Sequence, residues 1–390
     1  MTAAPLRCYS APGEAHRALW TGRIDGDAPE VQRWHQAVQF LDLTQEPEHY
    51  FDPTVCLIGY ASDLGVRANL GRPGAADGPA RLRARMAPFP AIDGVTIIDC
   101  GDIVAGATVL ETQEALAAAV ERIVRAGALP VVLGGGHDQA FGHFLGVARA
   151  TGAAPACINF DAHLDLRPVP EGGPNSGTPF TQAWEWCKAR NAPFRYLALG
   201  VQRAGNTSLL FARAEHAGAT LVDADGFALD TIEIVMDAIN DGVDGGEICL
   251  SVDLDVFAAA FAPGVSAPTA MGIAPDSAFR RVFRGIMASG LVRGVEVAEL
   301  CPPLDQDDRT ARLGAAVVFE AALGLLDAAN PEDADAEAFP SLGDDDGAGG
   351  DDDVSDDASD DASDDPSDDP SDDPSDDPSK GGPGRNGGGR

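Results

Sequence analysis

The stretch "PACINFDAHLDLRP", residues 155–168, decides how the chain reads. It opens as a short apolar run of strand length, then sets Asp161, His163 and Asp165 at alternate positions. Along an extended chain, alternate side chains project to one face. Two carboxylates and an imidazole gathered on one face repel one another, or go unsatisfied, unless positive charge sits between them. The spacing points to a cation held where a strand ends.

Seven other runs repeat the strand pattern: "TVCLIGY" (54–60), "VTIID" (95–99), "LPVVLG" (129–134), "FRYLALG" (194–200), "ATLVD" (219–223), "EICLSVDLD" (247–255) and "RGVEVAEL" (293–300). Helix-like stretches lie between many of them. "LETQEALAAAVERIVRAG" (110–127) has apolar residues at helical spacing and a glycine stop, and "DSAFRRVFRGIMASG" (276–290) adds an Asp cap. "DRTARLGAAVVFEAALGLLDAA" (308–329) reads as the last helix, and "PEVQRWHQAVQFL" (29–41) as one helix in an otherwise irregular start. Nearly continuous apolar strands alternating with helices predict an α/β fold, with a mostly parallel, roughly eight-stranded sheet covered on both faces. In such sheets ligands bind beyond the carboxyl ends of the strands.

Composition divides the chain. Residues 331–390 hold 22 acidic and 3 basic residues, and "SDDASDDASDDPSDDPSDDPSDDPS" is a run of six tetrads, SDDA twice and SDDP four times. With no apolar residue in the repeat larger than alanine, this segment is expected to be a disordered, solvating tail. Residues 1–50 read as an N-terminal extension and 51–330 as the catalytic domain. Residues 1–330 hold 40 acidic and 24 basic residues, so the folded part is acidic too, and the formal net charge of the whole is −35. Nucleic acid and anionic membranes, which need basic surface, are not expected partners. Only Lys188 and Lys380 are lysines. An Asp-rich, Lys-poor surface suits very high salt, where the screening length shrinks to about 3 Å at 1 M and self-repulsion costs little, so a halophile's protein is expected. Seven cysteines without a CxxC pair read as reduced thiols of a cytoplasmic protein. No stretch resembles a signal peptide, and no apolar run is long enough to span a membrane.

Two further strand ends carry ligand-type residues. "VVLGGGHDQAFGH" (131–143) places His137 after a glycine-rich turn, and "ICLSVDLDVF" (248–257) places Asp253 and Asp255 at alternate positions. Together with Asp161, His163 and Asp165 they bring four carboxylates and two imidazoles to one sheet edge. Proton uptake alone would leave an expensive polar pocket, whereas two divalent ions relieve it. Carboxylate-rich ligation favours a harder ion, Mn²⁺ before Zn²⁺ or Cu²⁺. "GGGHD" lacks the Lys and Ser/Thr of a phosphate-binding loop.

These three blocks resemble the signature segments of the ureohydrolase superfamily of arginases and agmatinases, over roughly residues 54–328. "GYASDLGVRANLGRPGAADGPARLR" (59–83), "GHFLG" (142–146), "NSGTPF" (175–180), "LGVQRAGNTSLLF" (199–211) and "EVAELCPPLDQDDRTARL" (296–313) are more similar to the formimidoylglutamase branch than to arginases. The resemblance implies an arginase-like three-layer αβα sandwich, a homo-oligomer, and two Mn²⁺ ions per chain. One ion would take His137, Asp161, Asp165 and Asp253, and the other Asp161, His163, Asp253 and Asp255. A water between them would attack the amidine carbon of N-formimino-L-glutamate, yielding glutamate and formamide, a step of histidine degradation. Asp165 would hold and deprotonate that water, and Glu299 would pair with the amidinium.

The substrate's carboxylates need cationic donors. Arg167 follows Asp165 by two, and a guanidinium grips carboxylate in a fork. Ser176 falls in the matching substrate loop. Arg72, Gln202, Arg203 and Asn206 are further candidates, and His143 is expected on the pocket wall rather than as a ligand. Phe180, in "SGTPFTQ", stands in the region where arginases carry a histidine, so the proton donor to the leaving amine is unassigned. The alternative within the superfamily is an agmatinase, guanidino-acid hydrolase or arginase; outside it, a metal-stabilised protein without turnover.

Overall fold

All eight apolar runs lie in one sheet of the computed structural model, which describes residues 6–331 apart from 27, 46 and 243–245. These belong to one compact unit, Met1–Pro340. The acidic repeat read as a tail lies outside the described residues.

The strands are β1 (Tyr9–Ser10), β2 (Gln39–Phe40), β3 (Thr54–Ala61), β4 (Thr96–Val104), β5 (Leu129–Leu133), β6 (Ala156–Phe160), β7 (Tyr196–Val201), β8 (Thr220–Asp223), β9 (Ile248–Asp253) and β10 (Val292–Ala298). They run in the order β1-β4-β3-β5-β10-β9-β6-β7-β8, with β2 also on β4. Only the β1–β4 pair is antiparallel. The sheet therefore has ten strands rather than eight, because two dipeptides of the N-terminal segment add to β4.

The strands are apolar throughout because both faces are covered. In β5, Val131 and Leu133 join the core on one side and Val132 the core on the other; in β3, Val55 and Leu57 alternate likewise with Cys56 and Ile58. Helices Gly78–Met86, Ser277–Ala288 and Arg309–Ala329 supply the first layer, through residues such as Leu82, Phe279 and Val318. Helices Val109–Arg125, Gln139–Thr151 and Pro179–Lys188 build the other, through Leu116, Phe144 and Phe180. The architecture is the expected αβα sandwich. Caps fix the helix starts: the Thr108 hydroxyl accepts from the Glu111 N–H, and Asp276 from the N–H groups of Ala278 and Phe279.

The single helix expected over 29–41 does not form. A 3₁₀ turn (Pro29–Val31) and one α-turn (Trp34–Ala37) give way to β2. Tertiary packing overrides the local pattern here. Trp34 is buried edge-on to Phe89 and tilted against Phe319, which holds the chain down onto β4.

Arg83 ties this segment to the sheet. Its fully buried guanidinium donates twice to Asp99, at 2.9 Å each, and once to Asp102, at 2.7 Å. Trp20 Nε1 donates to Asp99 at 2.8 Å, and His16 Nε2 lies 2.9 Å from Asp102. Burial would raise the Asp102 carboxyl, but Arg83 and His16 outweigh it and hold it below its ordinary value of 3.8. Arg83→Met leaves Asp99 buried without its counter-charge and is expected to cost about 3–5 kcal/mol in denaturant unfolding. Because the folded-state value of Asp102 is depressed, its contribution is complete above pH 3.8 and drains away as pH falls through the lowered value. Unfolding midpoints followed into acid should show that loss in the parent and a flatter limb in Arg83→Met.

Candidate metal centre

Four neighbouring strands, in the order β5-β10-β9-β6, deliver the ligand-type residues from their carboxyl ends. After β5 the chain turns through Gly134–Gly136 into His137. A Cβ at Gly135 would stand 2.2 Å from the Tyr60 carbonyl oxygen and 2.5 Å from that of Ser62, so only glycine allows the turn to press against the neighbouring segment. β6 leads into Asp161, His163 and Asp165; β9 into Asp253 and Asp255; β10 into Glu299.

The alternate spacing is not continued strand. β6 stops at Phe160 and β9 at Asp253, and residues 254–256 form a 3₁₀ turn. Asp161 Oδ1 accepts from the His163 N–H at 2.6 Å, and Asp253 Oδ1 from the Asp255 N–H at 2.8 Å. Each pair is closed by a carboxylate bonding the backbone two residues on, a turn that Asp forms readily. The residues converge as the sequence predicts, but through these turns rather than through the pleat. Asp165 and Glu299 complete the set with φ of 44° and 65°. Non-glycine residues held in this left-handed region cost roughly 1–3 kcal/mol each and cluster at functional sites.

Three carboxylate oxygens surround one imidazole nitrogen. Asp165 Oδ2 stands 3.0 Å from His137 Nδ1, and Asp161 Oδ2 and Asp253 Oδ2 stand 3.2 Å from it. None is placed to hydrogen-bond it, and Nδ1 is buried without a partner. On the other side of Asp161, His163 Nδ1 lies 3.5 Å from Asp161 Oδ1 and 3.1 Å from Asp255 Oδ2, while Asp255 Oδ1 is buried and unpartnered. The groups His137–Asp161–Asp253 and Asp161–His163–Asp255 each bring their ligand atoms within 4.8 Å of one another, and Asp161 belongs to both. Orphaned nitrogen and oxygen atoms aimed at common points, from oxygen-rich donors with one imidazole apiece, fit two divalent cations of the Mn²⁺ class.

The electrostatics show what a cation would relieve. Burial, and then the Asp253 charge, push Asp255 and Glu299 well above the usual carboxylate range. Burial and Asp161 push Asp165 up to about 6. Burial opposes ionisation of Asp161 as well, but His137 and His163 outweigh it and hold its carboxyl low. Asp255 draws His163 upward; His137 is raised too, since its three carboxylates outweigh the opposing effect of burial. The ring of His137 is fixed from behind, where Nε2 lies 2.8 Å from Ser251 Oγ, and its backbone N–H donates to Glu299 Oε1 at 2.8 Å. Ser251 is absent from the sequence-derived set, although it sits two residues before Asp253 on the same face.

A cavity of about 350 Å³ opens over the cluster. Arg167 and Ser176 line it, as does Asn69, which the sequence reading did not single out. Asn69 Nδ2 donates to Ser176 Oγ at 3.1 Å. The Arg167 backbone N–H donates to the Gly177 carbonyl at 2.9 Å, and its exposed guanidinium has no hydrogen-bond or ion-pair partner among the described residues. Asn206 also lines the cavity, but its amide is engaged elsewhere. Oδ1 accepts from the Leu164 N–H, and Nδ2 donates to the carbonyls of Ala162 and Gln202, at 2.8–2.9 Å. Asn206 therefore shapes the ligand loop. Gln202 donates to the Met271 carbonyl, and Arg203 pairs with Asp223 on the surface; neither lines the cavity. His143 does not form the pocket wall either: it is buried behind the sheet edge, with Nδ1 3.5 Å from Glu296 Oε2. Phe180 stands edge-on to His137, ring centroids 5.7 Å apart.

The arginase family model matches residues 53–324. A formimidoylglutamase of Ralstonia nicotianae is 39% identical over 321 residues, covering 80% of this chain and 97% of its own. One from Nocardia farcinica is 42% identical over 304 residues, covering 77% and 94%. A crystal structure of Trypanosoma cruzi formiminoglutamase with Mn²⁺ superposes with a TM-score of 0.64 at 26% identity, over 70% of this chain and 93% of that one. The Bacillus subtilis formimidoylglutamase structure, 24% identical, shares the fold with a TM-score of 0.66, over 77% of this chain and 94% of that one. The chain belongs to the arginase family. It is a hydrolase acting on carbon–nitrogen bonds of linear amidines.

Asn206→Ala removes two hydrogen bonds from the loop that carries Asp161, His163 and Asp165, and a third to the Gln202 carbonyl. It is expected to lower stability by about 1–3 kcal/mol and to weaken metal retention. A weaker KM with unchanged stability and metal content would return Asn206 to substrate contact.

Proposed function

We propose that this chain is a formimidoylglutamase, hydrolysing N-formimino-L-glutamate to L-glutamate and formamide in histidine degradation. The observation that carries the reading is the unpaired Arg167 guanidinium in the same cavity as the carboxylate–imidazole cluster. An anionic substrate tail meets a free cation there, whereas cationic agmatine would be repelled. The names of the relatives support the same activity.

His137, Asp161, Asp165 and Asp253 would hold one Mn²⁺, and Asp161, His163, Asp253 and Asp255 the other. When bound, the two ions supply positive charge and make a water nucleophilic near neutral pH. Asp165 would take up the proton that the water gives up as it adds to the planar amidine carbon. Glu299, held through Oε1 by the His137 N–H, accepts a hydrogen bond from the amidinium and keeps that carbon facing the cluster. The C–N bond to the glutamate nitrogen then breaks, with a proton passing to that nitrogen, and the formimino carbon leaves as formamide. Arg167 and the hydroxyl of Ser176 orient the carboxylate end; Ser176 Oγ already accepts from Asn69, so its own proton is available to the substrate. All seven cysteines are free, which fits a reducing cytoplasm, and a homo-oligomer of this chain is the proposed assembly.

The protein loaded with Mn²⁺ in molar salt should release glutamate from formiminoglutamate. Urea from a guanidino substrate instead would overturn the assignment. Asp161→Ala, which removes one of the two residues common to both proposed ligand sets, should abolish binding of both ions by metal analysis. Arg167→Asn should raise KM by about 10- to 100-fold with two ions retained.

A further inference from the structure

We infer that Arg72 is a second carboxylate-recognition residue, so that the cavity reads both acidic groups of its substrate, one guanidinium to each. The inference rests on the proposed activity and adds a specificity determinant to it.

The observation behind it is a charge left without a counter-charge. Near the cavity, Arg67 is neutralised by Asp63 at 2.7 Å and Arg203 by Asp223 at 3.0 Å. Arg72 lines the cavity and has no carboxylate partner among the described residues. Its Nε donates to the Ser266 carbonyl at 2.8 Å and its Nη2 to the Val265 carbonyl at 2.7 Å. Among the described residues Nη1 has no partner. Two neutral acceptors fix the plane of the guanidinium without cancelling its charge. Arg72 and Arg167 are the two arginines that line the cavity, and neither pairs with a carboxylate among the described residues. Five fixed donors, two of them spent on orientation, leave a fork suited to a carboxylate.

The contacts of Arg72 tie it to a different segment from Arg167. The segment 69–72 is fastened at both ends. Asn69 Nδ2 bonds Ser176 Oγ, beside the strand-like contact of Arg167 with Gly177; at the other end the Arg72 N–H donates to Ser266 Oγ at 2.8 Å. Arg167 thus belongs to the flank that follows β6 and Arg72 to the flank that follows β9, with Asp165, Asp253, Asp255 and Glu299 lining the cavity with them. A substrate whose amidine meets those acids can give one carboxylate to each flank.

The test compares kcat/KM of the Mn²⁺-loaded full chain on three substrates: N-formimino-L-glutamate, N-formimino-L-glutamine and N-formimino-L-isoglutamine. The last two each replace one carboxylate by a neutral amide of the same shape. Arg72→Gln should lower kcat/KM on the diacid about 10- to 100-fold, chiefly through KM. That loss should vanish on one monoamide, and the Arg167→Asn loss should vanish on the other. Arg72→Lys, which keeps the charge without the fork, should recover part of the affinity for the diacid. Equal losses on all three substrates would make Arg72 a loop anchor only, and would overturn the inference while leaving the activity standing. So would losses from both arginines that vanish on the same amide. No turnover of the diacid by the parent protein would instead remove the activity on which the inference rests.

Discussion

Mutual repulsion among buried carboxyl groups is the constraint around which this molecule is organised. Asp161, Asp165, Asp253, Asp255 and Glu299 crowd the carboxyl ends of four adjacent strands, with only His137 and His163 as ring partners. Burial disfavours their charged forms, and each charge raises its neighbours further. The fold holds the groups in place regardless. Two of the aspartates grip their own backbone, two of the acids sit in left-handed conformations, and the His137 ring is fixed from behind by Ser251. Strain and desolvation on this scale are tolerable where a cation repays both, which is why the arrangement reads as a metal centre rather than as a hydrogen-bonded core.

The same problem has an internal solution at the opposite part of the sheet. Asp99 and Asp102 are also buried or nearly so, but Arg83 meets both and Trp20 and His16 satisfy what remains. One set of acids is closed by protein donors, and the other is left open on the cavity side. The cavity's arginines fit this division. Arg167 and Arg72 share the cavity with the acids but pair with none of them among the described residues, so positive charge is kept for what enters.

Local periodicity made most of the fold legible. The eight main strands and the helices Val109–Arg125, Ser277–Ala288 and Arg309–Ala329 lie where the apolar spacing and the caps place them. Over residues 29–41 the local spacing suggests a helix that does not form, since Trp34 answers to Phe89 and Phe319, far along the chain. The two-residue strands at Tyr9 and Gln39 carry too few residues for a period to register. At the site, the six ligand-type residues were legible because the chemistry demands acids and imidazoles at fixed short spacings. The rim was legible only in part: Arg167, Ser176 and Arg72 are named from the sequence and line the cavity, but their contacts are not, since Asn69 finds Ser176 107 residues away and Arg72 finds Ser266 194 residues away.

The amino-acid sequence by itself determined the α/β alternation, the acidic balance and the identity of the cluster, because periodicity, charge and ligand type are properties of the chain read locally. Tertiary structure alone decided how that cluster is assembled and what surrounds it. It turned an apparent strand alternation into two backbone-capped turns, assigned Asn206 to the loop and His143 to the interior, and left Arg167 and Arg72 without counter-charges among the described residues. Each of those outcomes depends on which distant group occupies the last few ångströms around a side chain, and no local pattern encodes that.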